Sequence, residues 1–251
     1  MKVDYIIPVY KPDEYRKENL KRSIEFVKSQ KGVDVNLIVV EQDLNVCSKF
    51  NKPWLCNLGV RQAKTEHIII GDMDIVNCNI DSGIGNKKTE YFFCSALELI
   101  TNTTDWGFLW NRLKYVGKTK TDPLQRVDFP YPGINEGGIV YYQKELWKNY
   151  MGGANECLWG LGGPDNDVAM RAQYITGYSE SYPATLIHQW HPISKMKKSK
   201  SRNVNREILK YTRRFPDKTI KMLKKENWGN PKGPYSMNMS FYEMRKKNGY
   251  A

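Results

Sequence analysis

Apolar residues follow two periods in the first third of the chain. Residues 3–9 form a β-branched apolar run ending in Pro8-Val9-Tyr10-Lys11-Pro12, and Leu20, Ile24 and Val27 then recur at helical spacing up to Gly32. This predicts a strand, a loop and a helix. Residues 35–40, Val-Asn-Leu-Ile-Val-Val, predict a second strand running into Glu41-Gln42-Asp43. Residues 54–63 predict another helix, and 67–70 a third strand with Gly71-Asp72-Met73-Asp74 at its end. Strands and helices alternating at such short intervals predict an α/β fold. Its sheet is mostly parallel, Rossmann-like and flanked by helices, and its ligand side lies beyond the carboxyl ends of the strands.

The pattern weakens over residues 75–136, which hold aromatic clusters such as Tyr91-Phe92-Phe93 and Trp106-Gly107-Phe108-Leu109-Trp110. Helices and strands covering one side of the ligand site are expected there. Residues 137–142 predict a strand and 144–150 a short helix. Residues 165–174 predict a helix entered through glycines and Pro164, with Gly177 close after its end. From Lys195 the composition shifts: Lys197, Lys198, Lys200, Arg202, Arg206, Lys210, Arg213, Arg214, Lys218, Lys221, Lys224 and Lys225 face only Glu207, Asp217 and Glu226. Ile208, Leu209, Tyr211, Phe215, Ile220 and Leu223 give this stretch helical apolar periodicity. The expected organisation is a main α/β domain over 1–194 and a basic helical extension over 195–251, packed on it.

With 251 residues and 40% hydrophobic content the chain is long enough for one sizeable core. No segment approaches the roughly 20 apolar residues needed to cross a bilayer. The opening Met1 to Pro8 carries Asp4 and lacks the apolar stretch of a signal peptide. A cytoplasmic protein without a transmembrane segment, peripheral to a membrane at most, is expected. Cys47, Cys56, Cys78, Cys94 and Cys157 form no C-x-x-C pair and are odd in number, which argues against a disulfide framework and a zinc knuckle. A net charge of +12 favours a polyanionic partner such as nucleic acid, a phosphorylated glycan or an anionic membrane.

Three segments carry candidate chemistry. Asp72 and Asp74 sit at alternate positions after Ile68-Ile69-Ile70, so in extended chain both carboxylates face one way and can address one divalent cation. An exposed acidic turn explains that pair equally well. His188-Gln189-Trp190-His191-Pro192 holds two of the chain's three histidines, and their spacing allows joint ligation only if the chain turns there. Asp oxygen with His nitrogen suits manganese better than calcium, with magnesium the alternative. In Trp159-Gly160-Leu161-Gly162-Gly163-Pro164-Asp165-Asn166-Asp167, a glycine-rich loop delivers two carboxylates to a helix's first turn. The helix's positive end keeps Asp165 ionised, as a general base requires. Asp167 reads as ordinary N-terminal capping.

The order of these segments resembles the GT-A glycosyltransferases, and within them the β-1,4-galactosyltransferase and chondroitin-synthase type. Val39-Val40-Glu41-Gln42 and Phe50-Asn51-Lys52-Pro53-Trp54-Leu55-Cys56-Asn57-Leu58-Gly59 are similar to the family's V-I-E-Q and F-N-R-A-x-L-L-N-x-G segments. Asp72-Met73-Asp74 matches its D-V-D, Gly137-Gly138 its G-G-V strand, and 159–167 its W-G-W-G-G-E-D-D-D loop. His188 and His191 fall where the family places late metal ligands. The resemblance covers about residues 3–192.

It implies a UDP-sugar donor, a bound Mn2+ (or Mg2+) and transfer with inversion. By it Asp74 and His191, with His188 as a further candidate, bind the metal, and Asp72 lies near the donor. Pro8, Val9, Tyr10, Glu41 and Asp43 line the nucleoside pocket, Asn51 and Lys52 approach the diphosphate, Gly137 and Gly138 lie on the donor side, and Asp165 deprotonates the acceptor. Pro164 stands where the family has Glu, Leu161 where it has Trp, and Lys52 replaces Arg, so acceptor identity does not carry over. The basic extension points to a polyanionic acceptor, such as hydroxymethylated DNA. Alternatives are a bacterial surface glycan or lipid-linked precursor, or a non-catalytic nucleotide- or nucleic-acid-binding module, for which a transition-metal site serves no purpose.

Overall fold

The computed structural model describes residues 1–80, 89–115, 125–128, 137–160, 162–191 and 200–234. Of the sequence features above, Leu161, Pro192, Lys195, Lys197 and Lys198 lie outside them. β1 (Lys2–Val9) is buried on both faces from Val3 onward, which explains why its apolar residues occupy successive and not only alternate positions. Val3, Tyr5, Ile7 and Val9 enter one core and Ile6 the other. Asp4, buried within this strand, accepts from the Lys64 and Thr65 amides, the Thr65 hydroxyl and Asn36. Burial pushes its carboxyl up, but these bonds outweigh it and hold it below the usual value.

α1 (Glu14–Lys28) starts at Asp13, whose side chain accepts from the Arg16 amide, and lays Phe26 and Val27 on the sheet. β2 (Asp34–Glu41) follows. α2 (Lys52–Gln62) is capped by Asn51 and packs so closely on β1 that a Cβ at Gly59 would sit 2.4 Å from Ile6 Cγ2. β3 (His67–Gly71) leads into β4 (Ile75–Ile80), and then come α3 (Phe92–Thr101), β5 (Trp106–Phe108), β6 (Arg112–Tyr115), β7 (Gln125–Asp128) and β8 (Ile139–Gln143). A π-helical turn (Leu146–Tyr150) stands where a short helix is expected. α4 (Pro164–Thr176), β9 (Glu180–Ser181), β10 (Ala184–His188), α5 (Lys200–Arg214) and α6 (Pro216–Leu223) complete the order.

The fold is α/β with a mostly parallel central sheet flanked by helices. Its six strands run β2-β1-β3-β8-β5-β9, all parallel except β8, which pairs antiparallel with both neighbours. One reversed strand in six agrees with the mostly parallel sheet expected, and its placement matters. A reversed strand enters the sheet from the carboxyl-end side, so Gly137-Gly138 sit beside Asp72, whose amide donates to the Gly138 carbonyl. α1 and α3 cover one face, and α2 and α4 the other.

A second sheet, β4-β10-β6-β7, grows out of the weakly patterned middle and the 184–188 segment. β10 runs antiparallel to β4 and brings His188 opposite Ile75. α5 and α6 share a small core with the 157–158 loop, built from Cys157, Leu158, Val204, Ile208 and Leu223. Among the described residues no helix is long and apolar enough to cross a membrane.

Candidate functional site

β1, β2 and β3 all end on one side of the sheet, and a cleft of about 720 Å3 opens there. Pro8, Tyr10, Lys52, Asp72, Asp74, Asp165, His188 and His191 line it, with Arg16, Tyr115 and Arg202. Segments scattered from residue 8 to residue 202 thus meet in one place. Tyr10 stacks on Phe50 at 5.1 Å between centroids, making a flat aromatic rim.

After β3 the chain turns, so Asp72 and Asp74 diverge instead of facing one cation together. Asp74 meets both histidines: its Oδ1 is 3.3 Å from His188 Nε2 and its Oδ2 is 3.1 Å from His191 Nε2. The chain does turn after His188, pinned by the Gln189 amide donating to the Asp74 carbonyl at 2.9 Å. One ligand atom from each of Asp74, His188 and His191 lies within 4.8 Å of the others. Burial pushes the Asp74 carboxyl up, but His188 and His191 outweigh it and hold it below its ordinary value.

The tautomers bear on whether a cation fits. His188 Nδ1 faces the Gln189 carbonyl at 3.0 Å, which only accepts, so Nδ1 carries a proton and a neutral His188 has its lone pair on Nε2, toward Asp74. A lone pair facing a carboxylate at that distance calls for a proton or a metal ion between them. The donor set, one oxygen and two imidazole nitrogens, suits a first-row divalent ion. Arg16 Nη2, which only donates, is 3.1 Å from His191 Nδ1, and Arg16 also pairs with Asp13 at 3.2 Å. Ligation through His191 Nε2 therefore requires Arg16 to fall back on Asp13.

Asp72 belongs to a different group. Its Oδ1 takes Lys52 Nζ at 2.6 Å and its Oδ2 the Gly138 amide at 2.7 Å, while Lys52 also reaches Asp165 Oδ1 at 2.8 Å. Burial pushes the Asp72 carboxyl above its ordinary value, with Asp165 and Asp74 adding to the push and Lys52 opposing it. Burial works against the Lys52 ammonium, yet Asp165 and Asp72 outweigh it and raise the lysine well above its usual value. Gly137, at φ +86°, is required here: a Cβ would lie 2.5 Å from Asp72 Oδ2 and 3.4 Å from Lys52 Nζ. Cys56 lines a small apolar cavity behind Lys52, and burial lifts its thiol to about 12, leaving it inert.

Other expected contributors sit off the cleft. Val9 is buried in the core, and Glu41 is exposed at the end of β2. Asp43 caps its own turn through Asn45, and Asn51 caps α2 while donating to the Glu156 carbonyl. Gly138 lies against Trp110 and Leu186. Asp167 is not a helix cap. Fully buried, it binds Arg171 Nη2 at 2.7 Å and accepts from Thr212 of α5 at 2.8 Å. Sequence reasoning missed Arg16, Tyr115 and Arg202. Each sits in an ordinary amphipathic pattern, and only the fold turns it inward; Tyr115 packs on His188 at 4.8 Å.

Fold and site together define an α/β protein whose ligand side is a charged cleft at the strand ends. No family model matches the chain, and no curated protein matches it. Among solved structures, a Drosophila β1,4-galactosyltransferase 7 mutant in complex with manganese, UDP-Gal and xylobiose is 18% identical, over 77% of this chain and 66% of that one, with a TM-score of 0.40. S. aureus TarS 1–349 is 14% identical over 74% of this chain and 60% of that one, at a TM-score of 0.49. A longer S. aureus TarS chain gives 14%, 74%, 36% and 0.46. The chain thus spans between 36% and 66% of the length of the chains it matches.

Proposed function

We propose that this chain is a metal-dependent glycosyltransferase of the GT-A type, moving a sugar from a UDP-sugar to an acceptor hydroxyl with inversion. The observation that carries the reading is the meeting of Asp74, His188 and His191 in the same cleft as Lys52 and Asp165. Those three residues would hold Mn2+, or Mg2+ in its place. When bound, the ion offsets the charge that gathers on the leaving diphosphate.

The remaining chemistry belongs to the protein. The Tyr10–Phe50 rim offers a stacking face for the nucleoside, and the Lys52 ammonium offers a counter-charge for the diphosphate. Drawn toward the diphosphate, Lys52 releases Asp165, which stands in the first turn of α4. Asp165 takes the acceptor proton as the acceptor oxygen bonds to the anomeric carbon and the bond to the diphosphate oxygen breaks. Attack opposite the leaving group inverts that carbon.

The test is a screen of UDP-sugars, with and without Mn2+, for thermal stabilisation and release of UDP. A ligand at a hundred times its Kd stabilises by about 2.7 kcal/mol, a readable melting shift. The wild type and Asp165→Asn are expected to show the same manganese-dependent shift, and only the wild type transfers sugar. Absence of any such shift, or near-normal turnover in Asp165→Asn, overturns the reading.

A further inference from the structure

The basic extension is not absorbed by the donor chemistry. On α5, Arg202, Arg206, Lys210 and Arg213 are exposed and spaced by four, four and three residues. At about 100° per residue they fall within a stripe roughly 80° wide, and at about 1.5 Å rise per residue the stripe is roughly 17 Å long, with a cation every 4.5–6 Å. Its first member, Arg202, is part of the cleft wall. Lys218, Lys221, Lys224 and Lys225 continue the exposed charge along and after α6. Opposition is thin: Glu207 pairs with Lys210 at 2.8 Å on the surface, and Asp217 and Glu226 are half-buried.

Building on the glycosyl-transfer reading, we infer that α5 is the docking track for a nucleic-acid strand, whose phosphates run along Arg213, Lys210 and Arg206 and whose acceptor nucleotide enters the cleft at Arg202. Three observations favour this partner. The apolar face of α5 and α6 is already spent in the core, Val204, Ile208 and Leu223 being buried, so no face remains to insert into a bilayer. Four of the five exposed cations on α5 from residue 202 onward are arginines, whose planar fork suits phosphate oxygens. Next to the stripe's start stands Trp159, an aromatic surface on which a base can stack. Its carbonyl is held by Asn205 of α5 at 3.0 Å, and Lys49 lies 4.5 Å from its ring centroid.

The experiment measures binding of the full chain to a fluorescent single-stranded oligonucleotide by anisotropy across a salt series. Two triple variants are compared: Arg206→Gln/Lys210→Gln/Arg213→Gln on the stripe, and Lys21→Gln/Lys28→Gln/Lys31→Gln on exposed positions in and after α1. Both lose the same net charge. Each phosphate contact contributes about 0.7 to the slope of log K against log salt, so the stripe variant is expected to lose about 2 from the slope, and the α1 variant little. Equal losses in both variants show a response to net charge alone and overturn the proposal. So does failure to bind the oligonucleotide while an anionic polysaccharide or phosphatidylserine vesicles bind. The manganese-dependent shift with UDP-sugar, unchanged in both variants, reports separately on the donor site. Its absence in the wild type refutes the glycosyl-transfer reading whatever the oligonucleotide does.

Discussion

Replacing Lys52 by Met tests the electrostatic centre of the cleft without bound ligand. The ammonium touches Asp72 at 2.6 Å and Asp165 at 2.8 Å, so the two carboxylate oxygens it joins lie no more than about 5.4 Å apart. Methionine keeps most of the volume and leaves two like charges facing each other. At that separation and an effective dielectric of about 20, their repulsion is about 3 kcal/mol, the lower end of the range for breaking a buried ion pair. In a domain of this size each kcal/mol moves the melting temperature by roughly 2–4 °C, so the variant should melt about 6–12 °C below wild type near neutral pH. Acid should narrow the gap. Burial already pushes the Asp72 carboxyl up, and without Lys52 to oppose it the folded-state value rises further above that of the unfolded chain. A carboxyl raised in the folded state contributes stability as it takes up its proton, so the variant gains relative to wild type as pH falls from neutral toward the ordinary carboxylate range. Thermal melts of both proteins across that range decide it. A gap that stays constant with pH, or no gap at all, refutes Lys52 as the counter-charge.

Asp74→Ala is expected to lose the manganese-dependent rise in melting temperature, read by scanning fluorimetry with and without Mn2+; a surviving shift places the ion elsewhere. Gly137→Ala forces a Cβ to 2.5 Å from Asp72 Oδ2 at a φ of +86°, at a cost of about 1–3 kcal/mol of strain, and should weaken UDP-sugar binding measured by calorimetry. Asp167→Ala strands the fully buried Arg171 guanidinium and should cost about 3–5 kcal/mol in urea unfolding, with Thr212→Val milder because it removes one hydrogen bond and no charge.

Local pattern revealed the elements whose apolar positions repeat regularly. β1, β2, β3, β8, α1, α2 and α4 have apolar runs or helical periods long enough to declare themselves, and their ends lie within a few residues of expectation. β10 and its sheet escaped because Ala184–His188 is short, half-buried and interleaved with polar residues, so its period is lost against the aromatic background. That strand is what carries His188 to Asp74. The cation-site candidates could therefore be named from residue type, but not placed. Asp72 and Asp74 show the opposite failure. Strand periodicity put both carboxylates on one face, and the turn after Gly71 sent one to Lys52 and the other to the histidines. Charged residues such as Arg16 and Arg202 were invisible as site residues, since a solvated helix face and a cleft wall carry the same composition.

The division of the chain at about residue 195 hides a dependence that the contacts make plain. α4, whose first turn bears Asp165, is entered through the left-handed glycines Gly162 and Gly163. α5 holds this entry: Asn205 Nδ2 donates to the Trp159 and Gly162 carbonyls at 3.0 and 2.8 Å, and Leu209 packs where a Gly163 side chain would stand. One turn further along, Thr212 closes on Asp167 and so fixes the start of α4. The position of Asp165 is thus set from both sides by a helix that composition alone marks as a separate basic tail. A group that must meet an acceptor hydroxyl within hydrogen-bond reach cannot tolerate a loose support. It follows that the helix offering phosphate-binding charge to the solvent is the same one that braces the proposed base, so a strand docked along its outer face would bear directly on the geometry of the residue it has to meet.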